Sequence, residues 1–238
     1  MADNEFLQDR FGNEYRLIKA DEFTFGDDSG YGLKRELPSM ITRIKSNFYI
    51  GIHPVTQTLW ENIMGSNPSK HKNDFFDGLN PVESVTWEDC QDFIDELNQS
   101  SPLVANSKGK WRLPSEMEWE FVAKSGTSTR WCFGDKDRDL DDYGWHAGNS
   151  GGRPKYVGQK KPNLWGIHDM YGNVAEWCSC HWTKNHNPDS EPNHDHKVHK
   201  GGTWYSESDS TRPSARGKGS VGRKYDGIGM RLVWEFSS

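Results

Sequence analysis

Thiols are scarce in this sequence: Cys90, Cys132, Cys178 and Cys180 are the four cysteines in 238 residues. Four is too few for a disulfide framework at this length, so reduced thiols are expected. Long apolar runs are missing as well. No stretch approaches the about 18 apolar residues of a membrane-spanning helix, and the opening MADNEFLQDRFGNEY has no apolar core of a secretory signal. There is no basic surplus: 29 Lys and Arg face 35 Asp and Glu, for a net charge of −6, which argues against nucleic acid as a partner. Apolar residues make up only 33% of the chain and mean hydropathy is −0.93, values that border on those of disordered chains. The aromatic content decides otherwise. Eleven Trp within 13% aromatics supply large buried area with polar handles, so an ordered, loop-rich domain with an aromatic core is expected.

The N-terminal half carries the regular elements. RLIKADEFTFG and RIKSNFYIG alternate apolar and polar residues and read as strands, joined by the Gly- and Asp-rich GDDSGYG. In VTQTLWENIMG, Thr56 is a helix cap, Leu59, Trp60 and Ile63 share a face, and Gly65 is a stop. In VTWEDCQDFIDELN, Thr86 caps, Asp89 lies in the first turn, and Cys90, Phe93, Ile94 and Leu97 form the stripe. Ser115 and Glu118 stand at capping-box spacing before a third helix, with Met117, Phe121 and Val122 near helical period. SNPSKHKNDFFDGLNP reads as a loop. Beyond Ser125 helix signals stop, and KYVG, NVAEWCSC, KVHKGGTWY and GIGMRLVWEF are the strand candidates. HWTKNHNPDSEPNHDHKVHK reads as a polar loop. Neither a repeat nor a linker divides the chain, so residues 1–238 are taken as a single domain.

Six segments, in order, resemble the formylglycine-generating enzyme (sulfatase-modifying factor) family: FYIGIHPVTQTLW, NPVESVTWEDCQDF, WRLPSEMEWEFVAK, NLWGIHDMYGNVAEW, KGGTW and GIGMRLV. The resemblance implies an α+β domain of the C-type lectin-like type, with short helices and small antiparallel sheets. It does not settle function, because relatives include oxidases, sulfur-coupling enzymes and pure binding modules. The family oxidase binds copper through two cysteines after its Gly-Gly-Ser-Trp/Phe segment, a soft-ligand site. The matching positions here are Ser206 and Thr211. A hydroxyl does not replace a thiolate as copper ligand or redox partner, so neither copper nor catalysis is expected. An oxidase or other sulfur-chemistry enzyme of the same family is the alternative.

Two other metals come into question. The resemblance implies a structural calcium at Asp169, Gly172, Val174 and Glu176, two side chains and two carbonyls of the hard-oxygen kind calcium takes; a tight Tyr171-Gly172-Asn173 turn with capping carboxylates is the other reading. No second calcium is expected near Asn149. Cys178-Ser179-Cys180-His181 with His186, His194, His196 and His199 downstream has zinc-ligand chemistry, against a plain strand followed by a solvated loop. His53, His71 and His146 are scattered and read as ordinary. Arg216 and Arg231 read as framework residues.

The C-terminal segment 203–228 also resembles the variable segment of diversity-generating retroelement variable proteins, where the lectin-like fold displays a changing binding patch. Variation there arises at template adenines, and Tyr, Ser, Asp and Gly are all reached from Asn codons. The expected ligand residues are Tyr205, Ser206, Glu207, Ser208, Asp209 and Ser210, together with Gly217, Gly219, Tyr225, Asp226 and Gly227. Tyr205 and Tyr225 serve as anchors, and Asp209 and Asp226 as polar contacts. Glu207 departs from the Asn-codon pattern, and Met230 stands where Phe is more usual. The expected partner is a protein or a surface glycan, and the expected setting is cytoplasmic or virion-associated.

Overall fold

The structure, a computed structural model, describes residues 5–27, 29–72, 78–100 and 108–236. Its N-terminal half runs β1 (Phe6–Gln8), β2 (Glu14–Ile18), β3 (Glu22–Phe25), β4 (Met40–Arg43), β5 (Phe48–Gly51), α1 (Gln57–Met64), α2 (Trp87–Ser100), β6 (Gly109–Arg112) and α3 (Glu116–Lys124). The remainder holds β7 (Ala175–Trp182), β8 (Asn193–Lys200), β9 (Arg216–Ser220), β10 (Ile228–Gly229) and β11 (Val233–Phe236), with short 3-10 turns at Asp137–Asp142 and Ser208–Thr211. This is the expected α+β architecture.

A five-stranded antiparallel sheet, ordered β1-β2-β5-β11-β6, ties the two ends of the domain together. Its alternation sorts side chains onto two faces. Tyr49 pairs with Trp234 and both join the core that packs under α1 and α2; Ile50 pairs with Val233 and both join the second core, under α3. A four-stranded sheet, β10-β7-β8-β9, carries the C-terminal half. In β7 Trp177 enters the first core and Cys178 the second.

The helix starts follow their signals. Thr56 Oγ1 accepts from Leu59 N–H at 3.2 Å, and Gly65 closes α1 in a left-handed conformation at φ 73°. Thr86 and Asp89 cap each other reciprocally at 2.8 and 2.9 Å. Ser115 and Glu118 form the full capping box of α3.

Three expectations are corrected. Met117 is exposed at 40%; the buried face of α3 is carried by Trp119, Phe121, Val122 and Ala123 with Glu116 and Glu120. KYVG is not a strand, because its backbone donors go to scattered partners and no ladder forms: Lys155 N–H reaches the Asn173 side chain, Val157 N–H the Leu79 carbonyl and Gly158 N–H the Asp169 side chain. Residues 181–200 are not one loop. β7 continues to Trp182 and β8 starts at Asn193; β8 pairs with β7 at its outer end, Asn193 opposite Trp182, and with β9 from His196 to Lys200. The outer part of that hairpin is polar on both faces, so no apolar alternation announces it. Residues 73–77 of the expected loop 66–81 lie outside the described residues.

Candidate ligand-binding site

Two loops of the C-terminal segment and one from the N-terminal half close around a cavity of about 330 Å³. One wall is the stretch 201–212, from the end of β8 through the 3-10 turn. Another is formed by β9 with Tyr225, and the third by Tyr31, Leu33, Arg35 and Glu36. Tyr31, Leu33 and Tyr205 are large hydrophobic side chains exposed by about half, and all three line this one opening.

Arg212 fixes the third wall. Its guanidinium lies fully buried, donates to both oxygens of Glu36 at 2.9 and 3.2 Å and to Ser214 Oγ at 2.9 Å, and sits 3.7 Å from Asp27. Its Nε is buried without a hydrogen bond and lies 3.9 Å from the Asp209 carboxylate. His199, on β8, also faces the cavity, and burial holds its pKa at about 4, so it is neutral near pH 7. Its ring stands edge-on to Trp177.

The expected ligand residues divide. Tyr205, Ser206, Asp209, Ser210, Gly217 and Tyr225 do line the cavity. Tyr205 is half exposed and edge-on to Trp204 at 4.6 Å, a projecting aromatic. Tyr225 presents its ring, but its hydroxyl accepts from Ser220 N–H, so it also pins its own loop. Asp209 is ion-paired with Arg130, and Asp226 with Lys70 at 2.6 Å, so neither carboxylate is free. Glu207 and Ser208 lie beside the rim, where Ser208 Oγ donates to Asp137 at 3.4 Å. Gly219 and Gly227 are buried packing positions: a Cβ would meet Trp177 at 2.2 Å in the first and the Tyr205 ring at 2.6 Å in the second. Gly217 likewise leaves room for His199, at 2.1 Å. These glycines let rings lie against the backbone.

The two positions matching the family thiols are engaged as hydroxyls. Ser206 Oγ accepts from Thr203 N–H at 2.9 Å and lies 3.0 Å from Thr203 Oγ1. Thr211 is fully buried; its Oγ1 accepts from Trp131 Nε1–H at 3.1 Å and donates to Ser208 O at 2.8 Å.

The calcium positions do not fit the ion in this arrangement. Calcium takes about six to eight oxygens. Both oxygens of Glu176, fully buried, already accept from Arg231, at 2.7 to 3.2 Å, and Oε2 also from Trp119 Nε1–H at 2.6 Å. Arg231 thus supplies the positive charge, and it donates further to the carbonyls of Gly51, Ile52 and His168. Asp169 keeps one oxygen on Gly158 N–H while Oδ1 has no partner, and burial raises its pKa. Gly172 and Asn173 have positive φ, and their N–H groups donate to the carbonyls of Gly201 and Trp145, far away in sequence. The zinc reading finds its ligands dispersed. Cys178 is in the core, Cys180 Sγ accepts from Glu116 N–H, and His186 stacks on Phe25 at 4.1 Å. Among the described residues no three His, Cys, Asp or Glu side chains are grouped to hold a metal.

Arg216 and Arg231 are framework residues. Arg216 forks onto Glu116 at 2.6 and 2.7 Å, and Lys200 pairs with Glu120 at 2.9 Å beneath it. This buried network under β8 and β9 makes the cavity floor rigid.

The whole arrangement is that of a known family. The sulfatase-modifying factor enzyme 1-like domain matches residues 8–236, and the chain belongs to that family. It is 30% identical over 228 residues to the chaperone protein LppX of Paenibacillus barcinonensis, covering 79% of this chain and 80% of that protein. It is 31% identical over 114 residues to the formylglycine-generating enzyme of Bos taurus, covering 39% of this chain and 30% of the enzyme. The chain spans 38% of the length of the chlamydial kinase Pkn1 that it also matches. In three dimensions it is similar to Treponema denticola variable protein 1, with a TM-score of 0.81 and 27% identity over 94% of this chain and 95% of that one.

Tyr31, Leu33, Arg35, Glu36, Arg212 and His199 were not expected at the site. Residues 31–36 carry no sign of this role in the sequence, and only the tertiary path brings them over the cavity.

Proposed function

We propose that this protein is a noncatalytic binding module whose ligand seats in the cavity between residues 203–212, β9 with Tyr225, and residues 31–36. The ligand is a protein or a surface glycan, held by surface complementarity with no bond made or broken. The observation that carries this reading is the convergence of exposed Tyr31, Leu33 and Tyr205 on the one opening that also holds Ser206, Asp209 and Ser210. Rigid aromatics beside small adaptable residues make recognition surfaces, and exposed apolar groups gathered in one place mark binding sites. The likeness to Treponema denticola variable protein 1, over nearly the whole of both chains, points the same way. If the segment varies, the variation falls on Tyr205, Ser206, Asp209, Ser210 and Tyr225, and spares Gly219 and Gly227, which the packing needs.

The test has two arms. Sequencing this gene across isolates should find substitutions confined to adenine positions of those five codons, beside a reverse transcriptase gene and a near-repeat of the segment. A uniform segment in many isolates with no such neighbour overturns the variable reading. Incubation with copper and a sulfatase-type cysteine peptide should give no aldehyde; aldehyde above background overturns the noncatalytic reading.

A further inference from the structure

We propose that the ligand of the cavity beside Tyr205 is a sugar ring of a glycan and not a protein surface, a choice that rests on the binding reading above and narrows it. The cavity, of about 330 Å³, is at the small end of the range of small-ligand pockets, roughly 300–1,000 Å³, and holds about one or two sugar rings. A protein partner instead spreads over about 800 Å² on each side and uses a broad face more than one deep opening. A sugar ring makes two demands on such a cavity. Its C–H faces are apolar and call for flat aromatic rings. Its hydroxyls both donate and accept, and call for uncharged polar groups or for charged ones already balanced.

The aromatic demand is met from two walls. Tyr205 lies against the backbone of Gly227, where a Cβ would meet its ring at 2.6 Å, and is still 48% exposed. Tyr31 is 58% exposed and carries the Arg130 guanidinium over its ring at 4.8 Å. The same guanidinium lies over the Trp131 ring at 4.4 Å and pairs with Asp137 and Asp209. Arg130 thus braces Tyr31 to the wall that bears Tyr205. Rings fixed before the ligand arrives lose little freedom on binding.

The polar demand is met between them. Asp209 meets Arg130 through Oδ1 and keeps Oδ2 without a hydrogen bond among the described residues, an acceptor whose charge is already balanced. Ser210 is exposed on the same wall, and His199 is neutral near pH 7. Beneath them Arg212 with Glu36 and Arg216 with Glu116 satisfy each other, so these buried charges ask for no counter-ion. The inference stands on rings and hydrogen-bonding groups and not on the net charge of the opening.

An immobilised panel of oligosaccharides ending in hexoses, N-acetylhexosamines, fucose or sialic acid is probed with the wild type, Tyr205→Ala, Tyr205→Phe and Tyr31→Ala. Leu164→Ala, at an exposed apolar side chain outside the cavity, is the control. The wild type should bind some members of the panel, and the same oligosaccharides free in solution should compete. Tyr205→Ala and Tyr31→Ala should each bind at least about tenfold more weakly, while Tyr205→Phe, which keeps the ring, and Leu164→Ala stay close to wild type. Thermal melts of each variant separate loss of binding from loss of fold. Binding should survive a chelator, because rings and hydroxyls carry it. Binding to no member of the panel, binding lost to a chelator, or binding that both alanine variants keep overturns the proposal. A cell-surface protein that the wild type captures after enzymatic deglycosylation, and that Tyr205→Ala does not, also overturns it but leaves the binding-module reading standing; aldehyde in the copper assay defeats that reading itself.

Discussion

Replacing Arg231 tests what holds the centre of the domain. Its guanidinium meets Glu176 through Nε and Nη2 and satisfies the carbonyls of Gly51, Ile52 and His168, all in the interior. Arg231→Met leaves the Glu176 carboxylate with the Trp119 indole as its remaining donor; the carbonyls of Gly51 and His168 lose the Arg231 donor, and Ile52 O keeps the His168 N–H. Stranding one buried charge costs about 3–5 kcal/mol, a large part of the roughly 5–15 kcal/mol that holds a typical domain folded. Arg231→Lys keeps the charge but cannot fork onto a carboxylate and three carbonyls together, so it should cost about 1.5–3 kcal/mol, the range of a lost hydrogen bond to a charged group. Urea denaturation followed by Trp fluorescence measures both. The same titrations are run with a chelator and with millimolar calcium. The wild type should be indifferent to either, because Arg231 already neutralises Glu176. The reasoning is refuted if Arg231→Met is as stable as wild type, or if a chelator lowers wild-type stability, since a native-state ligand would then be contributing.

Further outcomes follow from single contacts. Gly219→Ala places a methyl 2.2 Å from the buried Trp177 ring and should cost about 1–3 kcal/mol by thermal melt. Gly227→Ala meets the half-exposed Tyr205 ring at 2.6 Å, which is free to swing away, so stability should fall less than in Gly219→Ala while ligand affinity drops. Ser115→Ala removes one half of the α3 capping box and should cost about 1 kcal/mol in urea denaturation. Acid should act in two windows. His199 has a folded pKa of about 4 against an ordinary 6.5, so the unfolded chain takes up the proton first and stability falls as pH drops from about 6.5 to 4. Burial alone would raise the Glu116 pKa, but His186, Lys200 and Arg216 hold it at about 2, so its contribution is present above 4.5 and is lost as pH falls from there toward 2. His199→Gln should shrink the upper window, to which His53, also held at about 4 by burial, contributes as well, and leave the lower one; an unchanged upper window would refute the assignment.

The sequence by itself determined the local elements and the family. Caps at Thr56, Thr86 and Ser115 are local hydrogen bonds, set within three residues of chain, and each formed as spaced. The replacement of thiols by Ser206 and Thr211 is a fact of composition. The polar outer end of the β7–β8 hairpin was not legible, because backbone pairing between the two strands holds it and side-chain alternation does not. Function-bearing detail was decided by tertiary structure. Arg231 and Glu176 are 55 residues apart in sequence, and only the packed interior makes them partners. Arg212 and Glu36 are 176 apart, and their pairing brings residues 31–36 over the cavity. Within 203–228, residue type alone could not separate Ser206 on the cavity from Gly219 beneath Trp177. Burial is a property of the folded surface, and it divides residues that composition treats alike.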